Sequence, residues 1–108
     1  MSLRWFKVCP ESELKRGQAR SISLLAKPYA VFNVNGNLFG MDGGCGHMKA
    51  NLAAGRLTGE IVSCLMHGWE YNVRTGVCLT TATEPLKTYP VKIEDELIWI
   101  GVDWPETV

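Results

Sequence analysis

Two cysteines and two histidines of this chain stand in two short pairs: Cys45-Gly46-His47 and, after sixteen intervening residues, Cys64-Leu65-Met66-His67. Each pair offers one thiolate and one imidazole, so two loops can bring four soft or borderline donors to a single inorganic centre. A buried cysteine is often only a small hydrophobe, and a lone histidine is more often a satisfied core or surface residue than a ligand. Here, however, both histidines of the chain fall two or three residues after a cysteine, which points to a shared ligand role. Tetrahedral zinc accepts this donor set, although its sites group Cys with Cys and His with His. The alternating order suits a centre of two metal atoms, in which each loop gives its thiolate to one metal and its imidazole to the other.

Wider context narrows the choice. Cys45-Gly46-His47-Met48 and Cys64-Leu65-Met66-His67-Gly68-Trp69-Glu70-Tyr71, followed by Arg74-Thr75-Gly76, resemble the two cluster loops of the Rieske ferredoxin family. Glu84-Pro85-Leu86-Lys87-Thr88-Tyr89-Pro90-Val91 resembles its proline-containing third loop and returning strand. The resemblance implies one Rieske [2Fe–2S] cluster, with Cys45, His47, Cys64 and His67 as ligands and Gly44, Gly46, Gly68, Trp69, Tyr71 and Pro85 around it. It also implies passage of single electrons from a flavin-dependent or other ferredoxin reductase to a terminal oxygenase, so that the chain is a carrier and not itself an enzyme. Met48, Lys49 and Met66, with Trp69, would then form the partner-facing rim, a small patch suited to a transient redox encounter.

Two departures point to the low-potential branch of that family. High-potential relatives carry an extra cysteine in each loop, joined as a disulfide, and a serine after the second His-Gly that bonds a cluster sulfur. Here Met48, Lys49, Ala50 and Asn51 follow His47, and Trp69 occupies the serine position. Fewer hydrogen bonds to sulfur leave the reduced state less stabilised, which places the potential near the bottom of the Rieske range, about −150 mV.

Length and charge bound the rest. A chain of 108 residues and 12.0 kDa makes one domain with a modest core. Eleven basic residues balance eleven acidic ones, giving no reason to expect nucleic acid or an anionic membrane as partner. The opening residues lack a signal-like apolar stretch and no long apolar run follows, so a cytoplasmic protein is expected. In that compartment Cys9 and Cys78 read as small buried residues. Other readings of the same residues are an electron-transfer subunit or redox sensor of another oxidoreductase system, or a structural zinc module.

The elements that must position the loops read as strands. Arg4 to Cys9 alternates bulky and polar side chains and ends at Pro10; Glu11 to Gly17 makes a helical turn at most. Ala19 to Leu25 is a strand, Lys27-Pro28 a turn, and Tyr29 to Val34 pairs with Leu38 to Met41 around Asn35-Gly36, a strong hairpin signal. Gly43, Gly44 and Gly46 allow close backbone approach around Cys45, and Ala50 to Gly55 holds one short helical turn. Ile61 to Ser63 delivers Cys64, Glu70 to Val73 leaves His67, and Thr75-Gly76 turns the chain into a strand from Val77 to Thr80. Thr81 to Pro85 wraps over the site, and Tyr89 to Ile93 with Leu97 to Val102 forms a last hairpin. The expected fold is all-β, an antiparallel β-sandwich with an inserted cluster-binding hairpin subdomain over residues 42–85 of a single domain, 1–108.

Overall fold

The run Tyr29-Ala30-Val31-Phe32-Asn33-Val34 is apolar at almost every position, the pattern of a strand covered on both faces. In the computed structural model, which describes residues 2–44, 51–66 and 68–104, all six of these residues are buried. They belong to β3 (Lys27–Val34), which lies between β2 (Ala19–Leu24) and β4 (Asn37–Asp42) in a four-stranded antiparallel sheet closed by β8 (Thr88–Tyr89). Alternation along β3 sends its side chains into two separate cores. Tyr29 and Val31 pack with Cys9, Leu14, Tyr89, Ile98, Ile100 and Val102. Ala30, Phe32 and Val34 pack with Met41, Leu52, Val62, Cys64, Tyr71, Val73 and Cys78.

The sheet containing β3 is therefore the middle of three layers. On one side lies a sheet of β1 (Ser2–Pro10), β10 (Leu97–Trp104) and β9 (Val91–Glu94). On the other lies a small sheet of β5 (Arg56–Thr58), β6 (Ile61–Ser63) and β7 (Glu70–Asn72). Among the described residues no helix is long and apolar enough to cross a membrane; the helical turns are Glu11–Glu13 and Leu52–Ala54.

The expected strands differ from the observed ones in four places, each for a local reason. Lys27-Pro28 is not the turn: Leu24 pairs with Lys27, and Leu25 and Ala26 occupy the turn at φ 50° and 65°. No Gly, Asn or Asp marks it. Pro28 is tolerated because the main-chain partner it cannot donate to, the Gly43 carbonyl, accepts from Leu52 N–H instead at 2.8 Å. The expected single strand from Tyr89 to Ile93 is broken at Pro90, where the chain leaves β4's edge and joins β10 in the other sheet. Val77 to Thr80 is not a strand; it makes one bridge, Tyr71 to Cys78, flanked by Asn72 N–H to Val77 O and Leu79 N–H to Glu70 O. The third strand of the small sheet is instead β5, whose three residues carry too short a pattern to read.

Candidate metal centre

Cys45, His47 and His67, together with Gly46, Met48 and Lys49, lie outside the described residues, so the site is built from the segments that enter and leave them. At the first loop, Gly43 N–H donates to Pro28 O at 3.0 Å and Gly43 O accepts from Leu52 N–H, while Gly44 bridges Asn51. Gly44 and Asn51, which flank residues 45–50, are thus paired side by side. Asn51 Oδ1 accepts from Ala53 N–H at 3.0 Å and starts the short turn that follows. Gly43 has a steric reason to be glycine, since a Cβ there would stand 3.0 Å from the Pro28–Tyr29 backbone. Gly44 would meet only Pro28 Cγ at an ordinary 3.7 Å.

The second loop is tighter. Cys64 N–H donates to Trp69 O and Gly68 N–H to Cys64 O, both at 2.8 Å, continuing the β6–β7 ladder up to the tip. Gly68 sits at φ +73°, where a side chain is disfavoured. Cys64 itself is buried in the core shared by the small and middle sheets. Gly55 packs directly on the Ser63 carbonyl, so the return of the first loop rests on the strand that delivers Cys64. Both loops therefore spring from one wall, with a buried thiol in an apolar setting and glycine backbone on each approach. This suits a thiolate-held inorganic group, which needs a dry surround and close main chain.

Around that wall, Tyr71 is fully buried, whereas Met66 and its neighbour Leu65 are 57% and 68% exposed at the tip. Trp69 is half-buried and packs against the core beside Cys64, so part of its ring serves the wall. Pro85 is exposed and Leu86, next to it, packs inward. Leu65, Val77 and Leu79 add exposed apolar surface that the sequence reading did not single out; their signal is alternation with the buried Cys64 and Cys78. Cys9 and Cys78 are buried, as expected. Burial pushes the Cys9 thiol up from its usual range, so it stays protonated and inert.

Gly76 joins the second-loop hairpin to the segment after Pro85. It lies at φ +81° with its carbonyl accepting from Leu86 N–H at 2.8 Å, and a Cβ there would run into the Leu86 carbonyl. Gly76→Ala is expected to destabilise the domain by about 2–3 kcal/mol, from left-handed strain plus the lost bond. The midpoint of urea unfolding checks this; an unchanged midpoint would show that the contact relaxes freely.

Comparison with known proteins accords with this arrangement. The model of the Rieske [2Fe-2S] domain matches residues 4–90, and the chain belongs to that family. Its cofactor is accordingly one Rieske-type [2Fe–2S] cluster, and its role is that of an electron carrier, which sets a structural zinc site aside. The ferredoxin component of the naphthalene 1,2-dioxygenase system of Pseudomonas putida is 31% identical over 103 residues, 94% of this chain and 99% of that one. A ferredoxin of Sphingomonas yanoikuyae B1 superposes with a TM-score of 0.80 at 33% identity, covering 94% of this chain and 100% of the other. A chain from the complex of reduced oxygenase and oxidised ferredoxin in carbazole 1,9a-dioxygenase gives a TM-score of 0.83 at 31% identity, over 89% of this chain and 91% of its own.

Proposed function

We propose that Cys45 and Cys64 hold one iron and His47 and His67 the other, and that residues 42–85 act as the cluster-binding subdomain of a one-electron carrier serving a terminal oxygenase. The observation that supports the ligand assignment is the common wall: both ligand segments are tied at their roots by main-chain hydrogen bonds, and Cys64 is buried in the core shared by the small and middle sheets. The cluster, when bound, supplies a site that takes up and releases one electron. The thiolates compensate ferric charge, and the imidazoles keep the oxidised site neutral overall, easier to reduce than a four-thiolate site. The free nitrogen of each imidazole can hold or release a proton, linking electron and proton uptake.

Met48, Lys49 and Met66 make the partner-facing rim, with Gly44, Gly46, Gly68, Trp69, Tyr71 and Pro85 lining the loops. A donor such as a flavin-dependent reductase and an acceptor such as the oxygenase of a ring-hydroxylating system meet this rim in turn. The relatives that are ferredoxin components of dioxygenase systems support that pairing. The working compartment is the cytoplasm, where Cys9 and Cys78 stay reduced.

The test is iron and acid-labile sulfide analysis of the purified chain, with EPR of the reduced protein before and after ¹⁵N-histidine labelling. Nitrogen hyperfine coupling that changes with the label is the expected result; an unlabelled-like spectrum would remove His47 and His67 from the ligand set. On redox titration the potential should lie near −150 mV. It should be flat at low pH and fall by about 59 mV per pH unit once an imidazole of the oxidised form deprotonates. The sign follows from linkage: above that pKa, reduction must take up a proton, which rising pH disfavours.

A further inference from the structure

The two ligand loops are joined by a two-residue staple outside either of them. Consecutive main-chain amides point to opposite elements: Leu86 N–H to Gly76 O at 2.8 Å in the second-loop hairpin, and Lys87 N–H to Asp42 Oδ2 at 3.0 Å at the root of the first loop. Asp42 also donates its own N–H to Lys87 O at 2.9 Å. In a regular antiparallel ladder, the bond returning from Lys87 N–H would go to the Asp42 carbonyl. Here the carboxylate takes it. The chain can therefore peel away from β8 toward Cys45 without leaving the Lys87 donor unmatched.

Asp42 is itself held in place. Its Oδ1 accepts from the Tyr89 hydroxyl at 2.6 Å and lies 3.4 Å from Lys27 Nζ. Tyr29 and Tyr89 meet edge to face at 5.1 Å, with Lys27 over both rings. Burial, and then the bond to Asp42, drives the Tyr89 phenol well above its usual range, keeping it a donor. One carboxylate oxygen thus anchors Asp42 to the base, leaving the other for the staple.

We propose that Asp42 is a positioning residue for the cluster: by accepting Lys87 N–H it fixes the root of the first ligand loop to the segment that Gly76 fixes to the second, and so sets their separation. This rests on the ligand assignment proposed above. A group that merely steadied the base would affect unfolding; a group that sets loop separation affects the cluster's electronic environment and its retention.

The experiment compares holoprotein of wild type, Asp42→Ala, Lys87→Pro and Tyr89→Phe by EPR of the reduced state, by the rate of iron loss to a chelator, and by thermal melting. Asp42→Ala should shift the g-values and speed iron loss several-fold, up to about tenfold, the lower end of the loss seen when groups that support metal ligands are removed. Lys87→Pro deletes the same N–H while leaving Asp42 its Tyr89 and Lys27 partners; it carries the same expectation and decides the matter if Asp42→Ala does not fold. Tyr89→Phe, which leaves Asp42 its Lys27 partner and the Lys87 N–H, should lower the melting point and move the g-values and iron-loss rate much less than either of those variants. The inference is overturned if the folded Asp42 or Lys87 variant keeps wild-type g-values and iron-loss rate, or if Tyr89→Phe moves both as far as they do. Wild-type protein without histidine nitrogen coupling would defeat the ligand assignment, and this inference with it. A normal wild-type signal with unmoved variants defeats this inference alone.

Discussion

Replacing Cys64 by Ala is expected to give protein without a cluster and with a thermal midpoint lowered by roughly 10–20 °C. Binding that favours only the folded chain adds about 3 kcal/mol once the group is present at a hundred times its dissociation constant, and in a domain of this size that converts to such a shift. The loss should not be uniform. Cys64 sits in the core beneath the small sheet, whereas the core around Ile98 and Ile100 lies on the opposite face of β3. The variant should keep the β1-β10-β9 and β2-β3-β4-β8 layers and lose order in β5-β6-β7. Circular dichroism with amide exchange measures both parts; a variant that retained iron and sulfide would exclude Cys64 as a ligand.

Exchanging His67, or His47, for Cys has the other large expected effect. If the variant assembles a cluster, a third thiolate adds negative charge beside the irons, and the potential should fall by on the order of 100 mV toward the four-thiolate range. The pH slope contributed by the exchanged imidazole should disappear with it. Protein-film voltammetry across neutral to alkaline pH reads both quantities. An unmoved potential would place the substituted histidine outside the ligand set.

The family and its cofactor were legible in the sequence because the proposed ligands are rare residue types at short spacing. Two Cys–His pairs and the Gly68-Trp69 and Thr75-Gly76 context that follows cannot easily arise from core packing or from turns alone. The hairpin marked by Asn35-Gly36 was legible too, since positive φ has a residue signature at both positions. The turn at Leu25-Ala26 was not, because two ordinary residues hold φ of 50° and 65° there only through the pairing of β2 with β3. Pro90 could be read as an interruption but not as a change of sheet, which depends on β10 arriving beside it from a distant part of the chain. The contact between Asp42 and Lys87 is illegible in the sequence for the same reason: the two lie 45 positions apart, and neither type signals a site by itself.

The strand β3 serves two cores at once, and this bears on how the cluster is put in and replaced. Its outer neighbours β2 and β4 and the layer led by β10 do not depend on the small sheet for their own pairing. Opening of the small sheet and its loops costs one face of β3 and leaves the other intact, the condition for a local excursion below global unfolding. An emptied chain thus keeps a finished template, on which a delivered cluster has only a few dozen residues to order around it. Assembly and repair become reactions of one layer, carried out on a protein that is already folded.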